Sequence, residues 1–540
     1  MRIRRIALLC SLLAQAARAA TADPYVRQPG IDAVHYAFRL TLSDSTDAIV
    51  GEASVQIRFV KDNVGDFWLD LASPADGKGM TVSDVLSQGA PLRFTHTADR
   101  LRIFLAAPPK AGERRRFTVR YRGVPAAGLR IIKNKFGERC FFSENWSERA
   151  RQWLPMIDHP SDKATSEFLI TAPAHYQVVA NGILEEETDL GDGQRLTHWK
   201  QSAPIASWLN AIGVSHFAVH HAGVVKGVEL QSWVYPQERE AGFPWFEGVG
   251  RRSLEFFSDY VGPYSYEKLA NVEAAGFGGG TEHASAIFYG ENSIVNRPAS
   301  GLVAHEIAHQ WFGDAVTERD WNDVWLSEGF ATYFTLLFVE HDEGRDAFAD
   351  GLRKSRATVF DFEKRNPAAT VVHADLRDMK LVTTALIYQK GAWTLHMLRS
   401  LMGDAPFQAG IRDYYARYRD ANASTAEFRT VMEEHAGKDL AWFFQQWLSR
   451  TGSPALAWRW RYDAAVRRVE IEVTQTQPGE AFRLPLEFGV TADGGSVMRL
   501  ETVELTGRTQ RFSIAADGAP AAVVLDPRTQ LLAAVRETHF

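Results

Sequence analysis

The chain has 540 residues, which is too long for a single compact core and predicts two to four domains. Its hydrophobic fraction of 45% and charged fraction of 23% are those of globular proteins, which excludes a largely disordered chain. The formal net charge is -6 and no stretch is strongly basic, so the sequence carries no electrostatic footprint for nucleic acid.

The N-terminal segment has the pattern of an export signal. A cationic start, a short apolar run and a small-x-small cleavage pattern follow one another as Arg2-Ile3-Arg4-Arg5, Ile6 to Leu13 and Ala17-Arg18-Ala19. We expect residues 1–19 to be removed and the mature protein to be periplasmic or secreted. The apolar run is too short to span a bilayer, so no stable membrane insertion is expected after removal. The alternative is a buried N-terminal strand or helix.

Removal of this segment also removes Cys10 and leaves Cys140 as the remaining cysteine. No intrachain disulfide can then form, even in an oxidising compartment. Stability must come from packing and bound metal.

Alternating apolar residues predict an N-terminal all-β domain. Two such runs are Tyr36 to Leu42 and Ala53 to Phe59, and short runs of this kind continue to about residue 220. Period 2 places each apolar set on one face of a sheet.

The period changes to that of helices from about residue 240 to 449, with long segments at Leu302 to Phe312, Val324 to Glu340 and Leu386 to Leu401. Alternation returns after Thr451-Gly452-Ser453-Pro454 and predicts a small C-terminal β-sandwich. The predicted organisation is a signal peptide (1–19), an N-terminal β domain (20–222), a mainly α domain (223–449) and a β-sandwich (450–540). The fold class is therefore multidomain α+β.

The first chemical motif is His305-Glu306-Ile307-Ala308-His309, an HExxH sequence. On a helix, residues i and i+4 lie on one face a turn apart, so both imidazoles can reach one metal ion. Glu306 lies beside them and can contact a water on the metal without being a ligand. By itself the motif is also compatible with two surface histidines beside a solvated glutamate.

The next helical segment favours the metal. Glu328 lies among leucines and aromatic residues, and burying a carboxylate without a partner is very costly. Two histidines and one glutamate, with a fourth position left to water, form the ligand set of catalytic zinc sites. The sequence therefore predicts one Zn²⁺ per chain, held by His305, His309 and Glu328.

Longer stretches around these ligands resemble the gluzincin aminopeptidase family of aminopeptidase N and the leukotriene hydrolases. The resemblance rests on His305 to Asp314, on Trp321 to Tyr333, and on flanking segments at Ala150 to Ala164 and Gly262 to Leu269. It implies a thermolysin-like catalytic domain over 223–449. It also implies an enzyme that removes the N-terminal residue from peptides.

The resemblance assigns the catalytic roles. Zinc lowers the pKa of a bound water towards about 7, and Glu306 takes its proton as general base and returns it to the leaving amine. A second donor is expected for the oxyanion, and Tyr388 matches the tyrosine of the family in this role. From spacing alone Tyr388 is a core residue of an apolar helix.

The resemblance also places the recognition of a free amino terminus. Glu282, in Gly279-Gly280-Thr281-Glu282-His283, matches the amine-binding glutamate of the family loop, in which methionine and asparagine usually flank that glutamate. The loop residues Gly279, Gly280 and Thr281 are expected to contact substrate, and Thr281 and His283 put the side-chain preference in doubt. Glu144 is expected to be a second amine anchor, unless it is a solvated carboxylate at the rim.

Three alternatives stay open. A thermolysin-like endopeptidase would not need Glu282, and a scaffold without activity would be expected to lose Glu306, a metal ligand or Tyr388. An epoxide hydrolase of the leukotriene type is a further alternative within the family. The expected partners are peptides with a free amino terminus.

Overall fold

A computed structural model describes residues 23–296, 300–373, 375, 376, 379, 382–494 and 497–539. The predicted signal segment at 1–19 lies outside the described residues. No helix among the described residues is both long and apolar enough to cross a membrane.

The N-terminal domain is built from strands, as the alternation predicts. Its 15 strands are β1 Ile31–Thr41, β2 Ile49–Phe59, β3 Asp66–Asp70, β4 Gly79–Ser87, β5 Ala90–Pro91, β6 Phe94–Thr97, β7 Arg100–Phe104, β8 Arg114–Val124, β9 Leu129–Lys133, β10 Arg139–Ser143, β11 Lys163–Pro173, β12 Gln177–Ala180, β13 Ile183–Gly191, β14 Gln194–Ala206 and β15 Ile212–Ser215. They form an eight-stranded sheet in the order β13-β14-β11-β1-β2-β8-β4-β5, a four-stranded sheet β12-β15-β10-β9 and a three-stranded sheet β3-β7-β6.

The register of the large sheet explains its buried face. Phe38 of β1 pairs with Ala53 of β2 on one side and with Phe168 of β11 on the other. All three side chains are buried, as are the apolar residues two positions away on β1 and β2. The predicted alternation is confirmed, because period 2 turns each apolar set to one face.

A five-stranded sheet, in the order β16-β17-β18-β20-β19, opens the middle of the chain. Its strands are β16 Ala218–Val225, β17 Val228–Val234, β18 Lys268–Ala274, β19 Gly280–Thr281 and β20 Ala286–Gly290. Strand β16 runs across the predicted domain limit at 222. The edge strand β19 carries Gly280 and Thr281 and pairs antiparallel with β20, which fixes one border of the predicted substrate loop at residues 279–282.

Helices make up most of the rest of this domain. Those described are α1 Arg239–Tyr260, α2 Asn292–Asn296, α3 Gly301–His309, α4 Trp325–Glu343, α5 Arg345–Arg365, α6 Gly391–Met402, α7 Asp404–Tyr418, α8 Thr425–Ala436 and α9 Ala441–Leu448. Strand β21 Val316–Glu318 comes after α3 in the chain and forms a short parallel pair with β22 Ala421–Ala423. Helices α3 and α4, which carry the predicted metal ligands, pack against each other in one apolar core.

The structure divides the predicted helix at Leu386 to Leu401. Leu386–Lys390 forms one turn of π-helix, and α6 begins at Gly391. Gly391 lies against Gly329 of α4, and a Cβ on Gly391 would stand 3.0 Å from the Gly329 Cα. Because neither residue has a side chain, the two helices approach closely at this point and bring Tyr388 beside α4.

The C-terminal domain consists of two small sheets, β27-β24-β23-β29 and β26-β25-β28. Their strands are β23 Ala455–Asp463, β24 Arg468–Gln475, β25 Leu484–Ala492, β26 Met498–Leu505, β27 Thr509–Ala515, β28 Pro520–Leu525 and β29 Ala534–Glu537. Trp458 of β23 meets Phe488 of β25 with ring centroids 5.7 Å apart, so the sheets pack face to face. The predicted order of β, mainly α and β domains is confirmed.

One partly buried lysine ties the N-terminal domain to the turn after α3. Lys163 Nζ donates hydrogen bonds to the carbonyl oxygens of Asp314 at 2.8 Å and Ala315 at 2.9 Å. Burial lowers the pKa of Lys163 to about 8. The N-terminal domain thus holds the chain segment that follows the HExxH helix.

Candidate metal centre and active site

Two histidines of α3 and one glutamate of α4 converge on a single point. His305 Nε2 and His309 Nε2 are 3.2 Å apart. Glu328 Oε2 lies 3.4 Å from His305 Nε2 and 3.2 Å from His309 Nε2. Ligand atoms placed tetrahedrally about 2.0–2.2 Å from an ion are separated by roughly 3.3–3.6 Å, so these three atoms fit one zinc ion.

The surroundings of the three ligands support the same assignment. Glu328 Oε2 is buried without a hydrogen-bond donor among the described residues. His309 Nδ1 lies 3.2 Å from the carbonyl oxygen of Phe312, which accepts its proton and leaves the Nε2 lone pair for a metal. Ser327 Oγ is 3.0 Å from the same Nδ1. A buried carboxylate oxygen facing two imidazole nitrogens is stabilised when a cation lies between them.

We expect purified protein to contain one zinc ion per chain, and His309→Ala or Glu328→Ala to lose it. Each change removes one of three protein ligands, and a two-ligand site binds zinc far more weakly. Elemental analysis of the dialysed proteins measures the stoichiometry.

His341→Ala is the matched control, because His341 lies exposed on the same helix as Glu328 and outside the ligand cluster. Wild-type protein that is folded but free of zinc after loading would contradict the assignment.

Glu306 lies beside the three ligands and points into the same buried space. One oxygen of Glu306, one of Glu282 and one nitrogen of His309 lie within 4.8 Å of one another. A Cβ on Gly280 would stand 2.3 Å from the Glu306 carboxyl group, so only glycine allows the substrate loop to lie so close. Burial raises the pKa of Glu306 well above its ordinary value, and the charge of Glu282 adds to this rise.

Glu282 is held in place through its backbone. Gln310, the residue after the HExxH motif, donates from Nε2 to the Glu282 carbonyl oxygen at 3.0 Å. The carbonyl oxygen of Gly279 accepts a hydrogen bond of 2.8 Å from the backbone N–H of Gly290. Burial raises the pKa of Glu282, and the charges of Glu328 and Glu144 contribute to the rise.

Glu144 is nearly buried and forms ion pairs with two arginines. Arg130 Nη2 donates to Glu144 Oε2 at 3.1 Å, and Arg149 Nη1 contacts the same oxygen. Two residues further on, Trp146 packs edge-on against Trp208 and Trp321, with ring centroids 4.8 Å away in both cases. The structure thus compensates the charge of Glu144 with two guanidinium groups.

Tyr388 contacts the metal-binding glutamate directly. Its hydroxyl donates a 2.6 Å hydrogen bond to Oε1 of Glu328, the oxygen that does not face the imidazoles. Burial raises the pKa of Tyr388 far above its ordinary value, and the negative charge of Glu328 raises it further. The hydroxyl is therefore a proton-bearing donor at neutral pH, close to the metal site.

Comparison with known families identifies this arrangement. The family model described as the Peptidase M1 N-terminal domain matches residues 32–209, and the Peptidase family M1 domain matches residues 247–447. The two regions together cover more than half of the chain and contain every predicted site residue. The chain belongs to peptidase family M1.

Several M1 relatives match across much of this chain. Glutamyl aminopeptidase of Rattus norvegicus is 24% identical in an alignment of 505 positions that covers 86% of this chain and 52% of the relative. Tricorn protease-interacting factor F2 of Thermoplasma acidophilum is 26% identical over 443 residues, covering 79% of this chain and 54% of the relative. The chain spans about half the length of these curated relatives.

A solved M1 structure agrees in fold over nearly its whole length. The M1 zinc metallopeptidase from Deinococcus radiodurans superposes with a TM-score of 0.70 and 26% identity, covering 80% of this chain and 97% of that one. The cofactor of this M1 site is zinc, in agreement with the donor set and the ligand spacing.

The contacts of some residues around the M1 site could not be predicted from the sequence. His283, the residue after Glu282, lies buried against Phe288, and neither of its ring nitrogens has a hydrogen-bond partner or belongs to a ligand cluster among the described residues. Ser327 and Gln310 could have been found, because each is adjacent to a metal ligand and can form hydrogen bonds. No sequence signal connects Arg130 or Arg149 to Glu144.

Proposed function

We propose that this M1 peptidase is a zinc-dependent aminopeptidase that removes the N-terminal residue from peptides. The observation that carries the proposal is the carboxylate of Glu282, buried beside Glu306 and His309 and not needed as a metal ligand. A protonated amino terminus supplies the positive charge that such a carboxylate requires. Relatives named glutamyl aminopeptidase support the same reaction class.

Glu306 is the general base in the proposed mechanism. When bound, zinc supplies a Lewis acid that acidifies water and polarises the scissile carbonyl group. Glu306 accepts the proton of the attacking water and then delivers it to the leaving amine. Gly280 and the burial of the site hold this carboxylate in place.

Tyr388 donates to the oxygen on which negative charge develops. In the structure this hydroxyl keeps its proton and donates it in a hydrogen bond of 2.6 Å to Glu328 Oε1, and in the proposed mechanism it donates to the substrate oxygen instead. A positioned neutral donor stabilises the oxyanion more than the ground-state carbonyl group.

Tyr388→Phe is expected to lower kcat by roughly 10²-fold or more, with a smaller change in KM, because one oxyanion donor is lost. Steady-state kinetics on an amino-acid 4-nitroanilide measure both constants. Tyr333→Phe is a control, since Tyr333 also carries a buried hydroxyl on the catalytic domain but bonds His396 instead. An unchanged kcat in Tyr388→Phe would reduce Tyr388 to a packing residue.

A panel of amino-acid 4-nitroanilides, each free and N-acetylated, tests the proposed function. An aminopeptidase cleaves the free substrates and nearly ignores the acetylated ones. A thermolysin-like endopeptidase cleaves internal bonds of blocked peptides. A scaffold cleaves neither, although Glu306, Tyr388 and all three ligands are retained in this chain.

Export of the mature protein belongs to the same proposal. It rests on the cationic start and short apolar run before residue 20. Fractionation of expressing cells, with the N-terminal residue of the active protein identified by mass spectrometry, tests it. Active protein that stays in the cytoplasm with an intact N-terminus would overturn it.

A further inference from the structure

Two arginines share one carboxylate at the edge of the active site. The Glu144 side chain is 11% exposed, whereas Arg130 is 36% and Arg149 is 47% exposed. One carboxylate therefore pairs with two guanidinium groups. Because the negative charge of Glu144 neutralises only one of the two arginines, the cluster has a net positive charge. Each guanidinium has five donors in a planar fork, and the contacts to Glu144 use few of them.

The cluster lies next to the part of the site that receives the amino terminus. Arg130 Nη1 donates to the carbonyl oxygen of Gly276, and its guanidinium carbon stands 5.1 Å from the Phe277 ring centroid. This loop continues to Gly280 against Glu306 and to Glu282. The negative charge of Glu144 also contributes to the raised pKa of Glu282.

The sum of the charges at the site favours the binding of one more anionic group. The carboxylates of Glu282, Glu306 and Glu328 are balanced by a divalent metal ion together with the ammonium group of a substrate. The surplus positive charge on the Arg130, Glu144 and Arg149 cluster then has no further acidic partner among the residues that the structure describes. A substrate that carries a carboxylate near its ammonium group completes the balance.

We propose that Arg149, together with Arg130, binds the side-chain carboxylate of an acidic N-terminal residue and makes this peptidase prefer substrates that begin with glutamate or aspartate. The inference rests on the proposed aminopeptidase function and adds the substrate class to it. Glu144 is the positioning residue that holds both guanidinium groups.

The side chain of the first residue is a nearer source of the carboxylate than the C-terminus of a short peptide. It is only a few bonds from the amine that Glu282 anchors. The C-terminal carboxylate lies beyond the scissile bond, further along the peptide from the amine. A guanidinium binds a carboxylate through two parallel hydrogen bonds, which an amide cannot reproduce.

The test compares the 4-nitroanilides of glutamate, glutamine and alanine. Glutamate and glutamine have nearly the same shape and differ in charge. Wild-type enzyme should show a higher kcat/KM for the glutamate substrate than for the glutamine one. Arg149→Gln should lower this ratio by about ten-fold, and Arg149→Glu by more, as expected for a lost charged hydrogen-bond partner. Added salt should lower the wild-type ratio as well.

Two further variants separate recognition from folding. Arg149→Lys keeps the charge without the fork, and should keep part of the preference. Arg102→Gln is the matched control, because Arg102 is 53% exposed and pairs with Asp66 on an outer strand. It should leave the ratio unchanged. A purely structural role of Arg149 would lower the rates on all three substrates equally and would overturn the inference.

Other results would contradict either this inference or the proposed function. If Arg149→Gln weakens cleavage of Ala-Ala but not of its C-terminal amide, and leaves the glutamate to glutamine ratio unchanged, the arginines bind the C-terminus and the inference is wrong. It is equally wrong if wild-type enzyme cleaves the alanine substrate but disfavours the glutamate one. If no free amino-acid anilide or peptide is cleaved, the proposed aminopeptidase function fails first.

Discussion

Glu306→Gln should keep its zinc and lose between about 10²- and 10⁴-fold in kcat, the range expected when a general base is removed. Glutamine has the shape of glutamate, so the contact with Gly280 and the spacing of the three metal ligands are preserved. An amide cannot accept the proton of the attacking water and cannot return it to the leaving amine. The loss should therefore fall on kcat, while zinc content measured by elemental analysis stays at one per chain.

A second buried carboxylate provides the control for this variant. Glu318 is 1% exposed and lies outside the metal and base clusters. Burial raises the pKa of Glu318 to about 8, and the charges of Glu282 and Glu328 add to this rise. Glu318→Gln thus replaces a buried carboxyl group near the site without removing the base, and should cost far less in kcat. Near-normal turnover by zinc-replete Glu306→Gln would rule out its role as the base.

Glu282→Ala should lower kcat/KM on substrates with a free amino terminus by about 10²-fold or more, since a charged partner loses its mate. At an effective dielectric near 20, a carboxylate about 4 Å from an ammonium group contributes roughly 4 kcal/mol. The metal ion repels the same ammonium group, so without Glu282 the site loses its preference for a free amine. Rates on free and N-acetylated substrates, compared in wild type and variant, measure this preference.

Glu144→Ala should cost less than Glu282→Ala, because Arg130 and Arg149 already compensate the Glu144 charge. Glu282→Gln separates charge from shape and should resemble the alanine variant. Equal cleavage of free and acetylated substrates by wild-type enzyme would make this chain an endopeptidase and refute the assignment of Glu282.

The metal site and the order of domains follow from the sequence by local rules. The i, i+4 spacing of His305 and His309 places both on one helix face whatever the rest of the chain does. Glu328, set among apolar residues, needs a cation for the same reason in any fold. Strand alternation likewise identifies the buried side chains of β1 and β2 without knowledge of their partners.

Other features depend on contacts between residues far apart in the chain, which no local pattern encodes. Tyr388 reaches Glu328 because a π-turn precedes α6 and because Gly391 packs on Gly329, a contact between helices about 60 positions apart. The pairing of Glu144 with Arg130 depends on the neighbouring strands β9 and β10. Sequence alone therefore predicted which ion is bound and which residues hold it. Only tertiary packing decided which charges surround the substrate, because those charges come from separate elements brought together by the fold.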